Sequence, residues 1–400
     1  MSHVVIVGAG PAGASLAYML VNRGVQVTLL ERQKDFAREF RGEILMPSGI
    51  DVFDQMGLHT QLAAVPSYAF ETIEIYMNRK PIISETFDAS FPSFLAVSQP
   101  ALLEMLVSEA ARSPLFRFER GVSMKDLLHD EDRVVGVQVK TDDGEQEIRA
   151  DLVIGADGRS SSVRKHAGLK ARRVSPPMDI VWCKLPCPDG LTGVRGFAGR
   201  GNLLVVYRTW DDTLQLGWVI LKGTFGELRS RGIEQWVEEM AHQVSPDLAA
   251  HLRANLDAVQ KPFMLSTASD CVERWSAPGV LVIGDAAHTM SPVGGQGVNI
   301  ALRDAIVAAN HLVPVLSESS PDPEQLDAAL MAIESERMVE VRKIQSLQAQ
   351  PPKLLLSRAW WGEPLRRVAG ALLSSRRVRK RAGKRVSVFL HGVTEVRLSV

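Results

Sequence analysis

Apolar residues along this chain fall into continuous runs, helical stripes and alternating segments, and their order predicts the architecture. Residues 4–7 are a short continuous run, followed by Gly8-Ala9-Gly10-Pro11-Ala12-Gly13 and then by Leu16, Ala17 and Leu20 at helical spacing, with Gly24 as a stop. A second run at 25–30 ends on Glu31. Runs of this length bounded by turn residues read as strands buried on both faces, so the opening stretch predicts strand, helix, strand. Helical stripes follow at 47–56, stopped by Gly57, and at 100–111, where Leu102, Leu103, Leu106 and Ala110 share a face behind Ser98 and Gln99. Alternation at 134–140 and 145–149 around Asp142-Asp143-Gly144 predicts a hairpin, and 151–154 another short buried strand. Between 172 and 263 the grammar changes: 180–185, 203–208 and 214–221 read as strands of a second, antiparallel sheet, followed by an acidic helix near 233–242. At 280–283 a buried strand returns and leads into an apolar helix over 298–312.

The first strand-helix-strand unit carries chemistry. Gly8 permits a tight turn out of the strand, Gly10 lets the backbone approach a pyrophosphate, and Gly13 allows close packing of helix on strand. Phosphates then sit on the positive end of the helix. Glu31, eighteen residues after Gly13, ends the next strand, where a carboxylate can accept from a ribose diol. A Gly-rich turn alone would explain the glycines but not the placed acid. Two further strand ends present carboxylates: Gly155-Ala156-Asp157-Gly158, continuing as Arg159-Ser160-Ser161-Ser162, and Gly284-Asp285-Ala286-Ala287-His288, followed by Ser291-Pro292-Val293-Gly294-Gly295-Gln296-Gly297 and the apolar helix. Free N–H groups near Gly297 to Asn299 can face a ring that gains negative charge. The fold class is α/β, α+β overall. A discontinuous Rossmann-like domain is expected from 1–72, 98–172 and 265–350, an inserted antiparallel-sheet substrate domain from 73–97 and 173–264, and a basic, apolar helical C-terminal segment over 351–400.

Composition narrows the setting. With 46 basic and 46 acidic residues among 400, no polyelectrolyte partner is implied, and the tail lacks any nucleic-acid module. Charge is unevenly distributed: residues 351–400 hold 12 Lys and Arg against 2 Asp and Glu, so the preceding 350 carry an excess of ten acids. Basic residues interleaved with Trp360-Trp361 and leucines suit an anionic membrane surface; a surface helix pair closing the substrate cavity, or a subunit contact, is the slightly favoured reading. Cys183, Cys187 and Cys271 are too few and too scattered for a disulfide framework or a zinc site, and no metal is expected. Without a basic region before the first apolar run, and without a spanning apolar stretch, the expected location is cytoplasmic, with the tail as a peripheral contact at the inner membrane face.

The three motifs, in this order and spacing, resemble the class A flavoprotein monooxygenases, the family with the p-hydroxybenzoate hydroxylase fold, over residues 3–350. The resemblance implies FAD, with Gly8, Gly10, Ala12, Gly13, Glu31 and Arg32 at the ADP moiety, Asp157-Gly158 at the flavin pyrophosphate and the transient NADH or NADPH, and Asp285 at the ribityl chain. It also implies polar contacts from Arg41 and Gln99, a backbone amide of Val122 at adenine, and Pro292, Gly295, Gly297, Val298 and Asn299 bordering the ring, with Pro292 on the face toward substrate. The implied reaction uses NAD(P)H and O2 to hydroxylate or epoxidise an aromatic, quinolone or polyketide-like molecule through a flavin hydroperoxide. A halogenase or an isoprenoid reductase of the same fold is the alternative, although Gly217-Trp218-Val219-Ile220-Leu221 lacks the second Trp and the Pro of the halogenase motif. A non-catalytic flavin carrier is disfavoured because no flavin motif is broken. Tyr207 and Trp218 are candidates to line the substrate cavity or plain core. His288 reads as a loop-fixing residue, no general base is identifiable by spacing, and the chain is expected to be a monomer or homodimer.

Overall fold

The first apolar run becomes the strand His3–Val7, whose residues from Val4 onward are at most 7% exposed. It lies at the heart of a six-stranded sheet in the order Ser276–Ala277, Val280–Val282, Leu152–Gly155, His3–Val7, Gln26–Glu31, Phe116–Arg120. All neighbours are parallel except the Ser276–Ala277 edge. Burial on both faces explains why these strands are continuous apolar runs rather than alternating ones. The structure, a computed structural model, describes residues 1–37, 43–77, 79–87, 94–172, 174, 176–199, 201–260, 262–318, 321–349 and 387–400.

The second sheet has seven strands in the order Phe263–Ser266, Met178–Pro186, Thr213–Leu221, Leu203–Arg208, Gly193–Ala198, Thr72–Met77, Lys80–Thr86. It is not wholly antiparallel, as the alternation predicts, because Thr72–Met77 pairs in parallel with Gly193–Ala198. That strand comes from an earlier excursion of the chain, and no hairpin joins it to its partner. One face of the sheet packs on the helices Phe225–Ser230, Ile233–Ala241 and Pro246–Ala254 around Trp218, Trp236, Leu216 and Leu252. The other face looks back toward the first domain.

Helix Pro11–Val21 packs between the helices Gln99–Ala110 and Gln296–Leu316. The helical stripe expected over 298–312 extends over Gln296–Leu316. A helix absent from the hydrophobic pattern, Pro323–Gln348, packs beside it. Its buried face includes Arg337 and Glu340, both fully inaccessible, and these polar residues break the apolar stripe that a helix of this length would otherwise show. Arg337 donates to Asp304 at 2.7 Å and to Glu340 at 2.6 Å, and Arg303 donates twice to Glu340 at 3.0 Å. Losing one member would strand a buried charge, the costly way to break such a network.

The expected C-terminal helical segment lies mostly outside the described residues, as does the basic and apolar cluster read as a membrane contact. Residues 387–391 form one helical turn. Beyond it the chain is tied across the first domain: Arg303 Nη2 donates to the Thr394 carbonyl at 2.5 Å, Leu398 N to Gln55 at 2.6 Å, and Arg23 to Val400 at 2.6 Å.

Candidate active site

At the carboxyl end of the parallel sheet, Gly8 has φ +104°, and a Cβ there would collide with the Ala156 carbonyl. A Cβ on Gly13 would collide with the Gly8 carbonyl, whereas one on Gly10 would meet only Ala156 O, at 4.0 Å. Gly8 and Gly13 therefore serve packing, and Gly10 leaves the approach open. The helix starts at Gly10 with Pro11 in its first turn and no side-chain cap, so the amides of Ala12 and Gly13 have no carbonyl one turn back. Glu31 is 3% exposed and accepts from Ala9 N at 3.2 Å and Gln33 N at 3.0 Å, which aims the carboxylate at the glycine turn. Arg32 beside it is exposed. The Val122 amide donates to the Glu31 carbonyl at 3.0 Å, so the N–H assigned to adenine by resemblance is already used. Gln99 opens the Gln99–Ala110 helix. Arg41 lies outside the described residues.

Asp157 is committed to its own loop. It accepts from Ser161 Oγ at 2.5 Å, Ser162 N at 2.6 Å and Val163 N at 3.3 Å, holding the start of the short helix Ser162–His166. Burial raises its pKa, and these bonds oppose the rise. Asp285 is different: its half-exposed carboxylate meets Arg159 Nε at 3.4 Å, bringing two of the three strand-end motifs together. The loop that carries it is pinned from below, where Asp304 accepts from Gly284 N at 3.0 Å and meets His288 Nε2 at 2.5 Å. Burial pushes Asp304 up, but His288 and Arg337 reverse that and hold it below the ordinary carboxylate range. His288 is 1% exposed, buried beside this loop.

The helix Gln296–Leu316 starts from Gly294 and Gly295, at φ +76° and +61°, with no side-chain cap. The amides of Gln296, Gly297 and Val298 thus fall in an open first turn, and a Cβ on Gly297 would meet nothing within 4 Å. Here the Asn299 side chain does something its sequence position does not reveal. Fully buried, it accepts from Met46 N at 2.8 Å and donates to the carbonyls of Ile44 at 3.2 Å and Gly295 at 2.8 Å, clamping the strand Ile44–Leu45 to the helix start. Pro292 is half-buried, and its neighbour Val293 packs against Met178, Ile180 and Val219 of the second sheet.

That contact identifies the sheet face that closes the cleft, and it separates the two aromatic candidates. Leu204 pairs with Trp218 in register, so Trp218 shares the face of Leu204 and stacks edge-on with Trp236 beneath the helices. Tyr207 is three positions from Leu204 and therefore points the other way. Trp218 is accordingly withdrawn as a cavity residue, while Tyr207 joins Phe70, Phe94, Met46 and Leu390 on the cleft side. The tryptophan on that side is Trp182, paired across the sheet with Gly217, where a Cβ would lie 2.5 Å from its ring. A glycine across from a large ring lets the ring lie flat on the sheet, a pairing that only the register of the two strands reveals.

Among the described residues, no group of three or more His, Cys, Asp or Glu is placed to hold a metal ion, and no helix is long and apolar enough to cross a membrane. A groove of about 690 Å³, lined by Arg79, Asn202, Arg231 and His242 among others, lies away from all of these residues.

Residues 1–337 match the FAD binding domain family. The chain is 31% identical over 377 residues to the 6-methylpretetramide 4-monooxygenase of Streptomyces rimosus, covering 93% of this chain and 89% of that relative. Its fold is similar to that of p-nitrophenol 4-monooxygenase from Pseudomonas putida, with TM-score 0.82, 19% identity, and coverage of 99% of this chain and 100% of that one. PqsL from P. aeruginosa, solved in complex with 2-aminobenzoylacetate, gives TM-score 0.79 at 22% identity over 89% of this chain and 97% of its own. The open first-turn amides, the uncapped glycine turn and the buried Glu31 suit a dinucleotide that carries a ring. The chain belongs to the FAD binding domain family of flavoprotein monooxygenases, the p-hydroxybenzoate hydroxylase fold, and is an enzyme that uses FAD.

Proposed function

We propose that this monooxygenase hydroxylates a planar, polyphenolic aromatic of polyketide type, with FAD lying from the Gly8–Gly13 turn to the start of the Gln296–Leu316 helix. The observation that carries the reading is the opposition of an open helix start at Gln296 to Val298 and an aromatic sheet face bearing Tyr207 and Trp182. Ala12 and Gly13 amides would receive the pyrophosphate, Glu31 the adenosine ribose, Asp285 the ribityl chain, and the amides of Gly297 and Val298 the edge of the ring that gains negative charge on reduction. Bound FAD supplies the redox and oxygen-transfer chemistry with NAD(P)H and O2. The chain's own residues bind, orient and exclude water: Asn299 fixes the segment beside the helix start, and the Phe70, Phe94 and Tyr207 rings offer flat apolar contact.

The substrate class draws support from the Streptomyces rimosus relative, whose name gives 6-methylpretetramide as its substrate. The test is NADPH oxidation by the FAD-loaded full chain with 6-methylpretetramide under labelled O2. The expected result is stimulated oxidation and a product carrying one labelled atom. Reduction without label, or a halide requirement, would move the assignment to the alternative chemistries. Membrane contact through residues 351–400 is a separate proposal, tested by sedimentation with anionic liposomes, and loses its basis if deleting that segment leaves binding unchanged.

A further inference from the structure

Spacing in the sequence identifies no general base, and the fold brings a candidate into place that the spacing conceals. Glu43 sits immediately before the clamped strand Ile44–Leu45, and its carbonyl accepts from Val97 N at 2.7 Å. Its main chain is thus fixed from both sides, by Val97 and by the Asn299 bonds to Ile44 and Met46. The Glu43 Oε2 atom is sealed from solvent and has no hydrogen-bond partner among the described residues. A buried carboxylate oxygen without a donor is costly, and a structural carboxylate normally has one.

Among the described residues, three titratable groups act on it. Tyr207 comes from the cleft side of the second sheet, and its phenol is pushed far up by burial and by the Glu43 charge. Lys184 and Asp211 are the other charged neighbours, and they are paired to each other at 3.1 Å. Burial pushes Asp211 up, but bonds from Thr209, Thr213 and Lys184 outweigh it and take the group to about 2. Lys184 is therefore largely spent on a carboxylate that stays ionised. For Glu43, burial raises the carboxyl to about 7, with Lys184 pulling down and Asp211 pushing up.

We propose that Glu43 is the proton acceptor for a phenolic or enolic hydroxyl of the substrate, held where the Asn299-clamped segment meets the Tyr207 face of the sheet. The substrate O–H bond breaks, its electron pair stays on oxygen, and the proton forms a bond to the accessible side of the half-buried Glu43 carboxylate. No electron changes owner. The oxyanion then pushes density into the ring carbons ortho and para to it, which makes them better acceptors of an electrophilic oxygen atom. A base whose affinity for protons lies near the working pH is the efficient choice for this step.

The inference rests on the polyphenol reading, so its test has one arm that needs no substrate. In the FAD-loaded chain, infrared difference spectra across about pH 5 to about pH 9 should show a protonated-carboxyl band that titrates near 7 and is missing in Glu43→Gln. A Glu43 ionised throughout that range overturns the proposal. In the second arm, with 6-methylpretetramide as probe, Glu43→Gln should lower kcat on the order of 10²- to 10⁴-fold and abolish the limb of the pH profile near neutrality. Raising the pH until the phenol ionises by itself should recover activity, and Glu43→Asp should restore part of the limb. A Glu43→Gln enzyme that keeps both rate and limb sinks the proposal. If the wild-type chain does not turn over the probe at all, the substrate reading falls, and the infrared titration alone decides for or against Glu43.

Discussion

The two faces of the seven-stranded sheet are both aromatic and both buried, yet they are built for different ends. On the helix side, Trp218 meets Trp236 with ring centroids 6.1 Å apart, in a cluster of Val, Leu, Ile, Met and Ala with Cys183 and Phe197. On the cleft side, Phe70, Phe94, Tyr207 and Trp182 share a cluster, and the Glu43 charge acts on the Tyr207 phenol. An unpaired indole N–H does not distinguish the faces, because Trp182 and Trp218 both have one. A carboxyl does, since the titratable group buried in the helix-side cluster is the Cys183 thiol, which burial pushes up to about 12. Core packing tolerates an idle indole at modest cost, whereas a carboxyl left without a donor invites a partner from outside the chain.

The largest expected effect comes from breaking the helix-side contact. Trp218 is 1% exposed, and Trp218→Ala should cost about 3–5 kcal/mol of stability. The loss should appear as a lower denaturant midpoint, with kcat/KM on the polyphenol nearly unchanged for the molecules that remain folded. Trp182→Ala should invert that pattern, with a smaller loss of stability and most of its effect on KM. Equal effects of both on KM would show that the faces are not functionally distinct.

Next in size is the pH dependence that Glu43 imposes. Its folded-state pKa of about 7 lies above the ordinary 4.5, so the folded chain holds a proton that the unfolded chain releases between those values. Stability therefore falls as pH rises from about 4.5 to about 7, and the full penalty, up to about 3 kcal/mol, applies above that window. Glu43→Gln removes the penalty. It should be more stable than wild type at alkaline pH and nearly equal to it at pH below the window, as denaturant titrations at the two extremes would show. A constant difference across the range would mean that the carboxyl is not the buried, proton-holding group inferred.

How much of this was legible follows from how many chain segments each feature needs. The Gly8 to Gly13 turn, Glu31 and the strand ends before Asp157 and Asp285 are local: strand, turn and acid follow one another, and the sheet only has to keep them parallel. The helix Pro323–Gln348 carries Leu326, Leu330, Ile333, Val341 and Ile344 at helical spacing, but Arg337 and Glu340, buried through partners on another helix, interrupt that stripe and concealed it. The facing of Tyr207 and Trp218 needs the register of two strands, which a single strand cannot supply. Glu43 needs Val97, Lys184, Tyr207 and Asn299 at once, and nothing in its own neighbourhood sets it apart from an exposed glutamate.

The Asn299 clamp is the joint that keeps the cleft side in place, and it yields a third test. Asn299→Ala strands Met46 N and the Ile44 carbonyl in a buried site, at about 1–3 kcal/mol. Since Glu43 is next in the chain, the same substitution should broaden or shift the neutral limb of the activity profile, whereas Trp218→Ala should leave it in place. A clamp mutant with wild-type pH dependence would detach Glu43 from the geometry argued for it.

The smallest effect tests where the ring edge lies. Gly297 sits in the first turn of its helix with open space where a Cβ would go and no left-handed φ, so Ala fits there without strain. Without FAD, Gly297→Ala should leave stability unchanged or raise it by up to about 1 kcal/mol, because Ala loses less backbone entropy in a helix than Gly. With FAD the sign should reverse. A methyl group on the approach to the Gly297 and Val298 amides holds the ring off those donors, and the gain in stability that saturating FAD confers should shrink accordingly. Calorimetric titration of the apoprotein should show weaker FAD binding for the variant. If binding is equally tight, the ring edge does not lie at this helix start, and the cleft between it and the Tyr207 face would have to serve some other part of the cofactor.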